Sequence, residues 1–205
     1  MKRIALDKAR EHLSLAKGAI AEMQLSNGFE AYEQAWSHFL IQAGRIYSKL
    51  EQGAKGCAKS TPWFGLKKHE RKKDPLLSYI HHARNSDEHG IEYISSLTAE
   101  TVSASVNQEK GFMFQMRFMV DSEGRFHYRN IKAKSGDGND LPVSILNPKI
   151  VPLTVHDTLH GDNFDPPQMH LSMPIVDPSP QGLAILAANY LTKLLDEASQ
   201  LPQRF

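Results

Sequence analysis

Two consecutive runs of apolar residues at helical spacing constrain the fold more than any other feature of the sequence. Apolar positions recur in steps of three and four in both runs, which is typical of a helix that buries one stripe. The first run contains Leu6, Ala9, Leu13, Ala16, Ile20 and Met23, and the second contains Phe29, Tyr32, Trp36, Phe39, Ala43, Ile46 and Leu50. Asn27 and Glu30 have the spacing of a capping box at the second start. So short a connection predicts two antiparallel helices.

Two further helices are predicted from their start signals. Asp74 followed by Pro75 is a favoured N-terminus, and the pattern predicts a third helix as far as Ile94. Ser179 followed by Pro180 predicts the start of a final helix. Residues 53–73 show no periodicity and are predicted to form a long exposed loop.

The segment between these two helices has the alternation of β-strands. Apolar residues occupy every second position in 101–107, in 112–120 and again after 126, with turn chemistry at 121–124 and a Gly/Asp-rich loop at 134–140. Residues 151–155 predict a short edge strand.

The fold class predicted is therefore α+β, mainly α. A four-helix bundle core carries an antiparallel β-meander inserted between helices three and four. We expect one domain over residues 1–205, with a helical core at 3–97 and 178–201 and the β insertion at 98–177.

Composition excludes several classes of protein. The chain has 24 Lys and Arg against 23 Asp and Glu, a formal net charge of +1, so it lacks the uniform basic field of non-specific nucleic-acid binders. Its one cysteine, Cys57, excludes an internal disulfide and cysteine-based zinc motifs. Charged residues interrupt the N-terminal region, and no apolar run reaches the roughly 20 residues of a membrane span. We expect a cytoplasmic protein that does not enter membranes.

The third predicted helix carries an arginine on an otherwise apolar face. Arg84 follows Leu76, Leu77, Ile80 and Ala83 on this face, whereas Asn85 and His89 are neighbours one turn apart. On an ideal helix Arg84 and His89 project about 140 degrees apart, so they would flank a site.

Two interpretations of Arg84 follow. In the first it forms an ion pair with Asp87 or Glu88 along the helix. In the second it binds the non-bridging oxygens of a phosphodiester while His89 transfers a proton, a reaction that needs no metal or other cofactor.

The segment Arg84-Asn85-Ser86-Asp87-Glu88-His89 resembles the motif of the HEPN superfamily, in which four to six residues separate an arginine from a histidine. The resemblance implies metal-independent RNA cleavage through the 2′-hydroxyl, with Arg84 and His89 catalytic and Asn85 positioning them. It also implies a homodimer that brings two motifs together, and a toxin or defence role with an antitoxin or regulator of unknown identity. The β insertion departs from the simplest form of this family.

A basic run and a histidine cluster are the other candidate sites. The run contains Lys67, Lys68, Arg71, Lys72 and Lys73 beside two aromatic residues, Trp63 and Phe64. It could clamp an RNA backbone while an aromatic ring stacks on a base, or it could be a solvated loop. The cluster contains His156, Asp157, His160 and Asp162, with His170 nearby, and suits Zn, Mn or Fe, although exposed loop histidines are the simpler interpretation.

We therefore predict a HEPN-like endoribonuclease, or an RNA-binding relative of one, without a metal. The alternative is a non-enzymatic dimeric protein whose bundle dimerises and whose β-meander binds an unknown protein or small ligand.

Overall fold

A computed structural model describes residues 1–89, 93–98, 101–104, 111–120, 126–146, 149–157 and 161–203, with the backbone alone at 88–89, 101–104, 118, 126–130 and 145–146. The chain divides into two compact units. One comprises Met1–Ser96 with Ile150–Phe205, and the other comprises Leu97–Lys149.

Five helices are described, all in the first unit: α1 (Arg3–Leu25), α2 (Phe29–Ala54), α3 (Ser60–Lys73), α4 (Pro75–His89) and α5 (Pro180–Gln200). The stripes predicted for α1 and α2 are buried except for Leu13 and Phe29, which are partly exposed. Trp36 and Phe39 are stacked with ring centroids 5.7 Å apart. Residues from α3, α4 and α5 complete the same core, including Phe64, Leu76 and Leu194. The core therefore lies among all five helices.

The helix starts predicted at Asp74 and Ser179 are confirmed. Oδ1 of Asp74 accepts a hydrogen bond from the Leu77 amide at 2.9 Å. Oγ of Ser179 likewise accepts from the Gly182 amide at 3.1 Å. Each side chain satisfies an amide that has no partner within its own helix.

Three local predictions are wrong. The α2 cap is Gly28, with φ +110° and no side-chain cap bond, so Asn27 and Glu30 do not form a capping box there. The predicted loop at 53–73 contains α3, whose Pro62 lies in the first turn, where a helix tolerates a missing amide hydrogen. Helix α4 is described as Pro75–His89, and neither Tyr93 nor Ile94 is helical, so the helix does not reach Ile94 as predicted.

Strands follow the first four helices along the chain. The second unit contains β2 (Thr101–Ala104), which pairs antiparallel with β6 (Val143–Leu146), and the antiparallel sheet of β3 (Phe112–Val120), β4 (Phe126–Ser135) and β5 (Asp140–Leu141). The other strands are β1 (Ser95–Leu97), β7 (Ile150–Pro152), β8 (Val155–Asp157), β9 (Asp162–Phe164), β10 (Met169–His170) and β11 (Met173–Pro174). Antiparallel pairs β8–β9 and β10–β11 belong to the helical unit. The turn predicted at 121–124 lies outside the described residues.

The α+β class is confirmed, because five helices and several small antiparallel sheets are present. The finer arrangement, a four-helix bundle with one inserted meander in a single domain, stays a prediction. Within the described part of the chain, none of the helices has the length and apolar character needed to cross a membrane.

Candidate functional site

Arg84 is half-buried on α4, and its side chain lies beside Asn85 and Gly44. Its Nη1 donates a hydrogen bond to Oδ1 of Asn85 at 3.1 Å. On the other side it lies against Gly44 of α2, where an added Cβ would stand 3.2 Å from Nε of Arg84. The arginine side chain therefore packs beside α2, and Asn85 accepts a hydrogen bond from its Nη1.

Beside Arg84 lies a recess of about 330 Å³, including its open mouth. Its walls come from four helices, α2, α3, α4 and α5. The residues that line it are Ala43, Gly44, Tyr47, Arg71, Leu77, Ile80, His81, Arg84, Ala187 and Leu191. No carboxylate is among these lining residues, so the charged groups in the walls are cationic.

Burial and nearby charges both act on His81, another residue that lines the recess. Burial, together with the nearby charges of Arg71, Arg84 and Lys68, lowers the pKa of His81 to about 4. His81 is therefore neutral at pH 7. A histidine that transfers protons near neutrality needs a pKa closer to 7 than that of His81. Its ring lies edge-on to that of His82, with centroids 5.1 Å apart.

The remaining residues of the HEPN-like motif lie on the last turn of α4. Oδ2 of Asp87 accepts a short hydrogen bond from Oγ of Ser37, so this carboxylate is bonded to α2. The side chains of Glu88 and His89 lie outside the described residues. The backbone nevertheless places His89 one turn beyond Asn85 on the same helix.

The basic run does not form one continuous cationic surface. Nζ of Lys67 lies 3.2 Å from a carboxylate oxygen of Glu70 and 3.0 Å from one of Glu197, and Nζ of Lys68 lies 3.4 Å from Glu51. Only Lys72 and Lys73, both exposed, project at the end of α3.

Arg71 differs from the rest of the run because it turns inward. Its guanidinium lies over the ring of Tyr47, 4.4 Å from the centroid. Of the two aromatics beside the run, Phe64 is buried and cannot stack on a base, while Nε1 of Trp63 donates to Glu197 at 3.3 Å. The structure thus assigns Arg71 to the recess and the lysines to ion pairs or solvent.

Three of the candidate metal ligands, His156, Asp157 and His170, each contact a different residue. Nδ1 of His156 lies 2.6 Å from Oδ1 of Asn163, whereas Oδ2 of Asp157 lies 3.6 Å from Nδ1 of His82. His170 interacts with Asp74 instead, and His160 lies outside the described residues. Among the described residues, no three such donors gather closely enough to hold an ion.

One buried contact was not predicted at all. Asp74, besides capping α4, accepts a hydrogen bond from the Leu171 amide at 2.6 Å and lies 3.0 Å from Nδ1 of His170. Leu171 and Ser172 both have positive φ, +47° and +65°, in the turn between β10 and β11. Asp74 thereby anchors a turn whose backbone conformation is unfavourable for residues with side chains.

Comparison with protein-family models, curated proteins and solved structures finds no match to this chain. The functional interpretation therefore depends on the Arg84 motif and on the geometry around it.

Proposed function

We propose that this protein is a HEPN-like, metal-independent endoribonuclease. The main support for the proposal is the position of Arg84, a cation on an otherwise apolar helix face. It lies beside a recess that is also lined by a second arginine, Arg71. A polyanion is the natural ligand of such a site, because two guanidinium groups close together gain from a shared phosphate. The fold we infer is a HEPN-like helical bundle with an inserted β unit.

The motif supplies the two functions that RNA cleavage requires. Arg84 binds the non-bridging oxygens of the scissile phosphate, and Asn85 holds Nη1 so that the rest of the guanidinium faces the substrate. The 2′-oxygen attacks phosphorus while the bond from phosphorus to the 5′-oxygen breaks. His89 takes the proton of the 2′-hydroxyl or supplies one to the departing 5′-oxygen.

A homodimer would complete this chemistry. One proton must be removed and another delivered, and a single histidine is in the wrong protonation state for one of the two roles. A second copy of the chain that faces the first would supply the other His89. The products are a 2′,3′-cyclic phosphate and a free 5′-hydroxyl.

The test is cleavage of single-stranded RNA by the purified chain in EDTA. We expect cleavage to fall by about 10²-fold or more in His89→Ala and in Arg84→Ala, the usual effect of removing a general acid or base or a charge-stabilising group. His69→Ala and Arg45→Ala are matched controls, because both residues are exposed and lie on other helices.

Activity that survives unchanged in His89→Ala would contradict the catalytic assignment. RNA bound at Arg84 without cleavage under any condition would identify the RNA-binding relative instead. RNA neither bound nor cleaved would favour the non-enzymatic dimeric protein.

A further inference from the structure

The recess beside Arg84 contains a buried cationic donor, Arg71, to which the proposed cleavage steps assign no role. Nε of Arg71 is buried, and within the described part of the chain it has no hydrogen-bond partner. Burial lowers the pKa of Arg71, but a guanidinium remains charged at neutral pH. A buried, charged N–H without an acceptor is unfavourable, so this group favours a ligand that brings an oxygen atom to it.

Arg71 also differs from its neighbours on α3 in its contacts with carboxylates. Lys67 and Lys68 each lie within ion-pair distance of a glutamate. Arg71 instead lies over the ring of Tyr47, with its Cζ 4.4 Å from the centroid, and Glu51 acts on it only by a coulombic interaction that raises its pKa. The contact with Tyr47 restricts the position of the guanidinium before any ligand arrives.

Hydroxyl donors stand next to this guanidinium. Burial raises the pKa of Tyr47 well above its usual range and that of Tyr190 to about 12, so both phenols stay protonated at neutral pH. The two hydroxyls are close enough to change each other's pKa, and both are buried. Among the residues that line the recess, donors therefore come from Tyr47 on α2, Arg71 on α3 and Arg84 on α4.

We propose that this recess binds a phosphate group, as a phosphomonoester or inorganic phosphate. The donors reach the cavity from several helices. A tetrahedral oxyanion, whose oxygens point in several directions, fits such an arrangement better than a planar carboxylate does. The source is a small nucleotide or the terminal phosphate of an RNA strand. The site goes beyond the proposed ribonuclease, since it needs neither His89 nor cleavage, although both proposals depend on the same pair of arginines, Arg71 and Arg84.

The test is titration of the full chain with phosphate-bearing probes, followed by calorimetry and by the NMR signal of the His81 ring. Inorganic phosphate, AMP and a trinucleotide with a 5′-phosphate are the probes, and acetate and the same trinucleotide with a 5′-hydroxyl are the controls. We expect phosphate and AMP to bind with a Kd of about 1 mM or tighter. Binding should also raise the pH at which His81 titrates, because an anion in the recess favours the protonated ring.

Two variants assign the binding to the recess. Arg71→Gln should weaken phosphate binding by about 10-fold or more, the effect of losing a charge-assisted hydrogen bond. Tyr47→Phe keeps the ring under the guanidinium and should weaken binding by about 3-fold or more. Arg45→Gln, an exposed position on α2, should leave it unchanged.

The outcomes separate this proposal from the ribonuclease. Phosphate binding that His89→Ala leaves intact supports the recess site even where no RNA is cleaved. Tighter binding of the 5′-phosphorylated trinucleotide than of AMP identifies an RNA end as the source, and equal binding identifies a small nucleotide. The proposal is overturned if phosphate and AMP fail to bind at about 10 mM, if acetate binds as well as phosphate, or if both recess variants bind like the unchanged protein.

Discussion

At the scale of single residues, Gly44 controls where Arg84 can lie. A Cβ at this position would stand 3.2 Å from Nε and 3.3 Å from Cδ of Arg84, closer than side chains ordinarily pack. The group that must yield is a flexible arginine side chain rather than backbone. An added methyl group should therefore move the guanidinium without disturbing the helices.

Gly44→Ala should separate function from stability. Replacing a helical glycine by alanine raises helix propensity by up to about 1 kcal/mol, so the free energy of unfolding should not fall. RNA cleavage should fall, because Arg84 is displaced from its position beside the recess. Urea denaturation and the cleavage assay measure the two effects.

The matched control is Gly18→Ala on α1, where a Cβ would meet nothing within 4 Å. It should stabilise the protein to a similar extent and leave cleavage unchanged. Equal cleavage by the two variants would show that Gly44 does not position Arg84.

His81 should make stability depend on pH. In the unfolded chain a histidine binds its proton at about pH 6.5, whereas burial and the surrounding cations lower the pKa of His81 to about 4 in the fold. Between these values the unfolded state binds more protons, so the free energy of unfolding falls as the pH is lowered. After allowance for solvent screening, we expect His81 to account for about 1 kcal/mol of the loss between pH 7 and pH 5.

Urea denaturation at several pH values tests this expectation. The dependence should be shallower in His81→Gln than in the unchanged protein. The exposed His69 of α3 provides the control substitution, His69→Gln. A slope that His81→Gln leaves as steep as before would contradict the expected charge state of His81.

The sequence indicated the importance of Arg84 but not its surroundings. An arginine among Leu77, Ile80 and Ala83 breaks a local pattern, and local patterns are visible in one sequence. Tyr47 and Arg71 approach His81 only because three helices pack together. Contacts between different helices depend on their packing angles and register. The spacing of residues along one helix does not determine these.

At the scale of the secondary-structure elements, α3 shows why a helix can escape prediction. Only Ser60 and Phe64 are buried in α3, so it has no repeated apolar stripe. Its Pro62 and Gly65 are also typical of loops. The helix is instead held by tertiary contacts, among them Phe64 in the core and the bonds from Lys67 and Trp63 to Glu197 of α5. The apolar stripes of α1 and α2, by contrast, were sufficient to predict both helices.

Asp74 joins the start of α4 to the turn between β10 and β11, and its removal should affect both. Asp74→Ala leaves the amides of Leu77 and Leu171 without their acceptor and removes the partner of His170. We expect the free energy of unfolding to fall by about 3 kcal/mol, the sum of a lost cap and lost charge-assisted hydrogen bonds at a buried position.

Ser179→Ala is the matched control for this substitution. It removes one cap bond, at the start of α5, and should cost about 1 kcal/mol. Urea denaturation gives both values. Equal losses in the two variants would mean that the contacts of Asp74 with residues 170–171 contribute nothing.

At the scale of the whole molecule, the two ends of the second unit are joined by hydrogen bonds. The Thr98 amide donates to the Lys149 carbonyl at 2.8 Å, and the Lys149 amide donates to Oγ1 of Thr98 at 2.8 Å. The two ends of the second unit thus lie close together. All residues that line the recess belong to the helical unit.

Replacing residues 99–148 by an Asn-Gly turn should therefore leave the helical unit folded. Because Thr98 and Lys149 are already hydrogen-bonded to each other, a two-residue turn can connect them. The melting temperature should therefore change by no more than about 5 °C, and phosphate should bind as in the full chain. Replacing residues 168–175 by a Gly-Ser linker of equal length is the contrasting variant. It removes the bonds of His170 and Leu171 to Asp74 and should lower the melting temperature by more, since those bonds lie within the helical unit. Loss of helical circular dichroism in the first variant would show that folding of the helices depends on the second unit.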